Sequence, residues 1–334
     1  MARLACVLLA KGDSEHAREL CVRAVALARS NAEVLALAAE VFSHGVPAWY
    51  FSLIQDSARN SIYEFAFRRA IRPGSRVLDI GAGTGLFAMM AARAGAAQVV
   101  TCESNLTVAG VVSEIVARNG FADRVRVVPK HSSDLQIGTD LEGPADVLIW
   151  DNLSTTTLIG AGALPTVEQA VRCLVRPNAS VIPAKGAIRV ALAEDRRAQN
   201  KQMSFVEGFD LSPFNRLAPP CYQLSHKKAR AVLRSEPADL FRFDFRSGGP
   251  FPEARATVML STSGGLVNGI AQWVYLEIDE ELRHEFPVEK NSALGATFYP
   301  LMRPIEMTAG DTLTVCGSHE RYSICIWAEV GEMQ

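Results

Sequence analysis

The spacing of hydrophobic residues changes along the chain and predicts where helices and strands lie. Between about residue 74 and residue 183, short runs of branched apolar residues alternate with helix-length segments. Such alternation favours a parallel sheet in a doubly wound α/β domain. The strands are predicted at residues 77–80, 99–102, 125–128, 147–150 and 180–183. A helix over residues 56–71 precedes them, and Pro73-Gly74 ends it.

After Pro183 the pattern becomes one of short apolar–polar alternations, separated by turn-forming clusters such as Ser263-Gly264-Gly265. A period of two marks strands with one buried face, so residues 184–334 are predicted to form an antiparallel β domain, either a sandwich or a barrel. The stretch at about 195–225 is less regular and is predicted to be a helical insertion or an arm. These changes place the α/β domain at residues 46–183.

Residues 1–45 are predicted to form a separate helical extension. Alanine and leucine dominate this segment, and a glycine-aspartate pair divides two helix-length pieces. Asp13 or Ser14 can cap the second helix, and Asn31 or Ser30 can cap a third. The arrangement is similar to one tetratricopeptide-like hairpin with the start of the next. Since a single repeat cannot bury its own apolar face, the extension is expected to pack on its own chain or on a partner.

Composition and charge argue against several classes of function. The 334 residues carry 34 Lys plus Arg against 36 Asp plus Glu, and this net charge of -2 provides no global attraction to nucleic acid or acidic membranes. No uninterrupted apolar run reaches the roughly 18–20 residues that span a bilayer. The seven cysteines form no C-x-x-C pair, and the six histidines show no metal-ligand spacing. We therefore predict a cytoplasmic protein with reduced thiols, no metal, and no nucleic-acid or membrane partner.

Residues 77–86 carry the most specific signal in the sequence. A buried strand ends near Asp79, and Gly81, Gly83 and Gly85 follow at alternate positions. Glycines permit a tight turn and a close approach of main chain to a ligand. The helix that begins near Gly85 would direct the positive end of its dipole toward that ligand. The pattern therefore predicts a cofactor bound over this loop.

Two cofactors compete for the glycine loop. A dinucleotide fingerprint needs a third glycine three residues after the second, and Leu86 occupies that position. The placement of Asp79 before the glycines suits S-adenosylmethionine (SAM) better, because a carboxylate there can reach the amino-acid end of that cofactor, directly or through water. The loop therefore favours SAM over a dinucleotide.

Two later segments supply candidates for the rest of the cofactor. Glu103 follows the next strand, 24 residues after Asp79, where a carboxylate can accept hydrogen bonds from both ribose hydroxyls. The segment Lys130-His131-Ser132-Ser133-Asp134 follows the third strand, where an adenine ring would lie. Ser132 or Ser133 could bond the exocyclic amine of that ring, although loop hydroxyls more often cap helices or form turns.

Several motifs in order along residues 44–334 resemble the protein arginine methyltransferases, especially the branch with tandem modules. They lie at residues 56–60, 77–86, 94–96 with Glu103, 130–132, 158–165, 208–210, 235–237 and 243–245. The resemblance implies a SAM-binding α/β domain followed by a β-barrel with a helical dimerisation arm at about 195–225. It also implies a homodimer.

The resemblance assigns cofactor-binding roles to individual residues. Arg59 would bind the SAM carboxylate, and Gly81 and Gly83 would line the methionine moiety. Glu103 would bind the ribose, in agreement with its position after the second strand. Without the resemblance, Arg59 could equally be a salt-bridge partner on a helix surface.

The acceptor side departs from the family. The family places two glutamates on the loop after the fourth strand, where they grip a guanidinium and offset its charge. Arginine needs such support because its pKa lies above about 12. The matching positions here are Asn152 and Ala161, and Asp151 lies one residue out of register. The family's Thr-His-Trp loop is replaced by Ser292-Ala293-Leu294, which leaves Asp56 without its usual histidine partner.

The altered loop admits two interpretations. Asn152 offers a donor and an acceptor without charge, and Thr155, Thr156 and Thr157 add hydroxyls nearby. These residues suit a pocket reshaped for a different acceptor, because a glutamate pair beside a neutral or anionic acceptor is costly to desolvate. A polar capped loop without a catalytic role would carry the same residues.

We hypothesise that the chain is an N-methyltransferase that acts on a guanidino nitrogen of free arginine, of a related small molecule or of an arginine side chain. Asp151 and Asn152 are the candidate catalytic residues, with Asp151 replacing one missing glutamate electrostatically. Two alternatives remain open: methylation of a non-guanidine natural-product acceptor, and a degenerate scaffold that binds SAM without turnover.

Overall fold

The structure is a computed structural model that describes residues 1–44, 46, 49–151, 158–160, 162–198, 203–224, 231–286 and 295–329. Three helices open the chain: α1 Ala2–Ala10, α2 Ser14–Leu27 and α3 Ala32–Ser43. Asp13 caps α2 by accepting a hydrogen bond from the backbone N–H of His16, and Asn31 caps α3 through that of Val34. A small core joins the three helices, formed by Ala5, Ala17, Cys21, Ala38 and Val41. The predicted helices are confirmed.

A five-stranded parallel sheet with its helices forms the second region. The elements are α4 Trp49–Ile54, α5 Ser57–Ala70, β1 Arg76–Ile80, α6 Leu86–Arg93, β2 Gln98–Cys102, α7 Leu106–Arg118, β3 Val125–Val128, β4 Ala145–Trp150, α8 Ala163–Cys173 and β5 Val175–Ile182. The strand order is β3-β2-β1-β4-β5, and every neighbouring pair is parallel. The predicted doubly wound sheet is confirmed, with a fifth strand that begins at Val175 rather than Ser180.

The register of the central strands sets the position of the loops that follow them. Ile80 at the end of β1 pairs with Cys102 on one side and with Trp150 on the other. The chain therefore leaves β1, β2 and β4 at the same edge of the sheet. The strand order also reverses between β1 and β4, and such a switch point is the usual ligand crevice of an open parallel sheet.

The rest of the chain forms antiparallel sheets. Their strands are β6 Lys185–Asp195, β7 Phe205–Val206, β8 Phe209–Asp210, β9 Tyr222–Gln223, β10 Ala231–Leu233, β11 Ala238–Asp244, β12 Ala254–Ser261, β13 Gly265–Glu277, β14 Arg283–Glu285, β15 Thr297–Met307, β16 Thr312–His319 and β17 Ile324–Glu329. One sheet has the order β10-β6-β13-β15-β9, with β11 on β6 and β14 on β13, and a second has the order β12-β16-β17. The predicted antiparallel region is confirmed.

The parallel and antiparallel regions share one hydrophobic core. Trp150, at the end of β4, is fully buried and donates from its indole nitrogen to the carbonyl oxygen of Pro183 at 3.2 Å. Its ring meets the ring of Phe245 edge to face, with 4.4 Å between centroids. This packing ties the strand that precedes Asp151 to the antiparallel region.

The predicted arm differs from the expected helix. Its described residues form the two-stranded hairpin of β7 and β8 and a short 3-10 helix over Ser212–Leu217. Pro219 and Pro220 follow the 3-10 helix and favour its end after Leu217, since proline cannot continue a helix. Among the described residues of this segment, seven large hydrophobic side chains are exposed: Met203, Phe205, Val206, Phe209, Leu211, Phe214 and Leu217.

Within the described residues, no helix is both long and apolar enough to cross a membrane.

Candidate active site

The glycine loop follows β1 and places main chain beside a pocket. Gly83 has a φ of 59°, and a side chain there would overlap the hydroxyl of Tyr50 from α4. Gly85 has a φ of 75° and immediately precedes α6, where an added Cβ would lie 3.0 Å from a methyl group of Val112. Gly83 therefore allows close approach at the pocket, whereas Gly85 serves the turn and the packing of α6 on α7.

The pocket has a volume of about 180 Å³ and lies at the carboxyl edge of the parallel sheet. It is lined by Tyr50, Leu53, Ile54, Arg59, Asp79, Gly81, Ala82, Gly83, Thr84, Leu86, Phe87, Glu103 and Asp151. Residues of α4, α5, β1, the glycine loop and the ends of β2 and β4 thus meet in one place. The lining carries three carboxylates and one guanidinium, an excess of negative charge.

Arg59 is held inside the pocket by an acid and two aromatic rings. Its side chain is only 3% exposed, and its Nη2 forms a buried salt bridge with Asp151. Burial alone would lower the pKa of Arg59, but the Asp151 carboxylate raises it, so the guanidinium stays charged. The guanidinium carbon lies 4.6 Å from the ring centroid of Phe87 and 5.1 Å from that of Tyr63.

Both oxygens of Asp151 already have partners. Oδ2 accepts from Arg59, and Oδ1 accepts from the hydroxyl of Tyr63 at 2.5 Å. Any acceptor that uses Asp151 must share this carboxylate with both residues.

Within the part of the chain that the structure describes, two buried polar atoms of the lining have no hydrogen-bond partner: Nε of Arg59 and Oγ1 of Thr84. Leaving such atoms unpaired costs free energy, and in a native structure it usually indicates a ligand, water or ion. A ligand with a carboxylate would satisfy the Arg59 donor, and a cationic ligand would offset the excess negative charge of the lining. SAM carries a carboxylate, an ammonium and a sulfonium, so the residues present fit it.

Asp79 is buried at the end of β1, with 2% of its surface exposed. Burial raises the pKa of its carboxyl to about 7, whereas the hydroxyl of Thr101, which donates to Asp79 at 2.7 Å, opposes that rise. The negative charges of Asp151 and Glu103 add to the rise. An ammonium group in the pocket would stabilise the ionised Asp79 carboxylate and so lower its pKa.

The remaining cofactor candidates divide into two groups. Glu103 lines the pocket, and its Oε1 accepts from the backbone N–H of Asn105 at 2.8 Å, which fixes the carboxylate at the edge of the pocket. Ser132 and Ser133 are not among the lining residues and lie in a short 3-10 helix. Ser133 bonds locally to His131 and Asp134, in keeping with the turn interpretation of this segment.

On the acceptor side, Asn152, Thr155, Thr156, Thr157 and Ala161 lie outside the described residues, as do Ser292, Ala293 and Leu294. Asp56 is described: it caps α5, and its carboxylate accepts from the backbone N–H of Arg59 at 3.0 Å. Asp56 therefore has a structural partner within its own helix.

Comparisons with known proteins identify the family. Residues 64–161 match the family model described as ribosomal protein L11 methyltransferase (PrmA). The chain is also 32% identical over 322 residues to an arginine N(omega)-methyltransferase of Streptomyces achromogenes subsp. streptozoticus, a match that covers 94% of this chain and 88% of that protein. The chain belongs to the arginine methyltransferase family.

Other relatives of the chain are longer proteins. Protein arginine N-methyltransferase 7 of Oryza sativa subsp. indica is 34% identical over 253 residues, which cover 69% of this chain and 35% of that protein. The protein of the same name from Danio rerio is 29% identical over 320 residues, which cover 82% of this chain and 45% of that protein. The chain thus spans less than half of the length of these relatives.

Two solved structures have the same fold as this chain. A Trypanosoma brucei PRMT1 enzyme-prozyme heterotetrameric complex with AdoHcy aligns with a TM-score of 0.70 at 21% identity, covering 86% of this chain and 98% of that one. Arabidopsis thaliana protein arginine methyltransferase 10 aligns with a TM-score of 0.66 at 16% identity, covering 83% and 95%. The predicted Rossmann-like domain and β-barrel are confirmed, and the protein is a SAM-dependent methyltransferase.

The site of this methyltransferase also contains residues that the sequence did not single out. Tyr50, Thr84 and Phe87 line the pocket, and the fully buried Tyr63 lies behind it, bonded to Asp151. Tyr63 could have been found, because it lies four residues after Arg59 and therefore on the same face of α5. Tyr50 carries no such signal, since only the packing of α4 over the glycine loop brings it to Gly83.

Proposed function

We propose that this protein transfers a methyl group from SAM to a guanidino nitrogen of free arginine or of a closely related small guanidine. The observation that carries the proposal is the match over nearly the whole length of both chains to a protein named arginine N(omega)-methyltransferase. The relatives named protein arginine methyltransferases match over much smaller shares of their own length. The replacement of both family glutamates by Asn152 and Ala161 also favours an acceptor site unlike that of the protein-modifying relatives.

The proposed mechanism assigns each pocket residue a task. Arg59 holds the cofactor carboxylate with its unpaired Nε, and Asp79 accepts from the cofactor ammonium. Glu103 accepts from the ribose hydroxyls, and Gly83 allows main chain to approach the methionine moiety. Bound SAM supplies an electrophilic methyl group on its sulfonium.

On the acceptor side, the protein must hold one guanidino nitrogen about 3 Å from the methyl carbon and in line with the bond that breaks. Asp151 would offset the guanidinium charge through its remaining lone pairs while it keeps Arg59 in place. Asn152 would orient the nitrogen without adding charge. Asp151 must also accept the proton that the nitrogen loses and pass it to solvent, because the amide of Asn152 is not a base.

The decisive experiment compares acceptors. Purified protein is incubated with methyl-labelled SAM and either free arginine or a short arginine peptide with blocked termini, and mass-spectrometric fragmentation locates the methyl group. We expect label on a guanidino nitrogen of free arginine and at least tenfold less on the peptide. Label on the peptide alone would show a protein substrate, and label on neither, despite cofactor binding, would show a scaffold or a non-guanidine acceptor.

We also propose that the protein is a homodimer joined through the arm at residues 203–217. Its seven large apolar side chains are each more than 40% exposed, and a cluster of exposed apolar side chains is typical of a protein–protein contact. Sedimentation should give a dimer, and Phe209→Glu should shift it toward monomer. Met259→Glu, which changes an equally exposed apolar residue on β12, should leave the dimer intact. A monomeric unmodified protein would contradict the proposal.

We place the protein in the cytoplasm. Its cysteines are all free, and Cys173 and Cys325 are exposed, which suits a reducing compartment.

A further inference from the structure

Tyr63 and Arg59 lie one turn apart on the same face of α5. Arg59 lines the cofactor pocket, whereas Tyr63 lies behind the lining and bonds to Asp151. Tyr63 is fully buried, and its ring stacks on that of Phe87 with 4.5 Å between centroids and an interplanar angle of 25°. Phe67 meets the Tyr63 ring edge to face at 6.0 Å. Two aromatic rings therefore fix the plane of the phenol, and the hydroxyl has a single direction in which to point.

That direction leads to Asp151. The hydroxyl of Tyr63 donates to Oδ1 at 2.5 Å, while Arg59 donates to Oδ2 of the same carboxylate. Burial and the Asp151 charge raise the pKa of Tyr63 well above its usual value, so the phenol remains a donor at any physiological pH. Asp151 is consequently held by the fixed phenol of Tyr63 on one oxygen and by the buried guanidinium of Arg59 on the other.

We propose that Tyr63 is a positioning residue for cofactor binding: it fixes the carboxylate of Asp151, and that carboxylate fixes the guanidinium of Arg59 with its free Nε directed to the cofactor carboxylate. The proposal rests on the cofactor role of Arg59 that is part of the proposed function. It explains why an acid occupies position 151, although the residue lies one position away from the glutamate that the family uses for its acceptor.

The alternative is that Tyr63 positions Asp151 for its acceptor role alone and has no effect on Arg59. The two cases differ in whether removal of the Tyr63 hydroxyl changes the affinity for the cofactor or the KM for arginine. If Tyr63 acts through Arg59, removal of its hydroxyl should weaken the binding of SAM and of S-adenosylhomocysteine (SAH). If it acts through the acceptor, the KM for arginine should rise while SAH affinity stays constant.

The test is Tyr63→Phe, which removes one oxygen and keeps the ring that packs on Phe87. We expect calorimetry to show SAH affinity about tenfold weaker, a KM for SAM raised by a similar factor, and a kcat within about threefold of the original. The calorimetric measurement needs no acceptor, so it remains valid if arginine proves not to be the substrate.

Tyr222→Phe is the matched control. Tyr222 also donates its hydroxyl to a buried aspartate, Asp195, at 2.9 Å, but it lies in the antiparallel region away from the pocket lining. The two variants remove the same group from the same kind of partner. We expect Tyr222→Phe to lower thermal stability without changing SAH affinity by more than twofold.

A double-mutant cycle with Asp151→Asn tests the route of the effect. We expect Asp151→Asn alone to weaken SAH binding, and we expect Tyr63→Phe to have less than a twofold further effect in that background. A full tenfold effect of Tyr63→Phe in the Asp151→Asn protein would show that Tyr63 acts by another route. Unchanged SAH affinity in both single variants would overturn the proposal.

Discussion

Two regions of the molecule contain the same three residue types in the same chemical arrangement. In the cofactor pocket, Asp151 accepts from Tyr63 and Arg59. In the antiparallel region, Asp195 accepts from Tyr222 at 2.9 Å and from two side-chain nitrogens of Arg197, each at 3.2 Å. We refer to these as the pocket trio and the barrel trio.

The two trios differ in what they leave unpaired. Asp195 also accepts from the backbone N–H of Arg197, and these donors together hold the pKa of its buried carboxyl below its usual value. Arg197 is 29% exposed, so its remaining donors reach water. Arg59 is almost fully enclosed, and its Nε has no hydrogen-bond partner among the described residues. The barrel trio is complete without a ligand. In the pocket trio, the Nε of Arg59 remains available to donate to a ligand.

The largest expected effect comes from removing the arginine of each trio. Arg59→Ala should weaken SAH binding about 100-fold or more, because it removes the donor to the cofactor carboxylate and leaves the buried Asp151 without its cationic partner. Arg197→Ala should lower stability by about 1–3 kcal/mol and leave SAH affinity within twofold. Calorimetry and thermal unfolding of both variants provide the measurements.

Arg59→Lys separates the loss of charge from the loss of geometry. A lysine retains the positive charge beside Asp151 but cannot present two nitrogens in a planar fork. We expect SAH affinity to recover only in part. Equal losses of SAH affinity in Arg59→Ala and Arg197→Ala would contradict the claim that only the pocket trio takes part in cofactor binding.

The cofactor half of the site could be predicted from the sequence because its signals are local. The spacing from Asp79 to Gly85 encodes a strand, a turn and a helix start within seven residues. The position of Glu103 after the next strand follows from parallel pairing alone. For the same reason, the order of strands and helices in the parallel region was predictable from hydrophobic periodicity.

The pocket trio could not be predicted, because it depends on contacts between distant segments. Asp151 lies 88 residues after Tyr63, and only the pairing of β1 with β4 brings it back to α5. The arm shows a second limit. Its irregular sequence indicated an insertion, but the family resemblance suggested a helical arm where the described residues form a hairpin and a 3-10 helix.

The next largest expected effect is a pH dependence of SAH affinity, which follows from the different pKa shifts of Asp79 and Asp195. Asp195 has several strong donors and a lowered pKa, whereas Asp79 has the Thr101 hydroxyl and a pKa raised to about 7. Below pH 7 the free protein therefore holds Asp79 protonated, and a protonated carboxyl is a poor partner for the cofactor ammonium. SAH affinity should rise about tenfold from pH 6 to pH 8, with proton release on binding below pH 7.

The same shift has a consequence for stability in the absence of cofactor. The folded state retains a proton on Asp79 that the unfolded state loses near pH 4, so the contribution of Asp79 to stability should fall between about pH 4 and pH 7. Asp79→Asn should flatten both profiles. A pH-independent SAH affinity in the unmodified protein would show that Asp79 does not meet the ammonium.

The smallest expected effect comes from the asparagine beside each trio. Asn60 accepts from Nη1 of Arg59 at 3.1 Å and donates to the carbonyl oxygen of Ile54 at 2.8 Å, so it links the pocket trio to α4. Asn268 exchanges two hydrogen bonds with the backbone of Asp195, at 2.8 and 2.9 Å. Both asparagines thus support a trio without being members of it.

Asn60→Ala should weaken SAH binding about threefold, because Arg59 loses one neutral partner but keeps Asp151. Asn268→Ala should leave SAH affinity unchanged and lower stability by about 1–3 kcal/mol, since it unpairs buried backbone groups at Asp195. Calorimetry at one pH, with thermal unfolding of the same samples, measures both quantities. If Asn268→Ala weakened SAH binding as much as Asn60→Ala, the barrel trio would be coupled to the pocket after all, and the two regions could not be treated as independent.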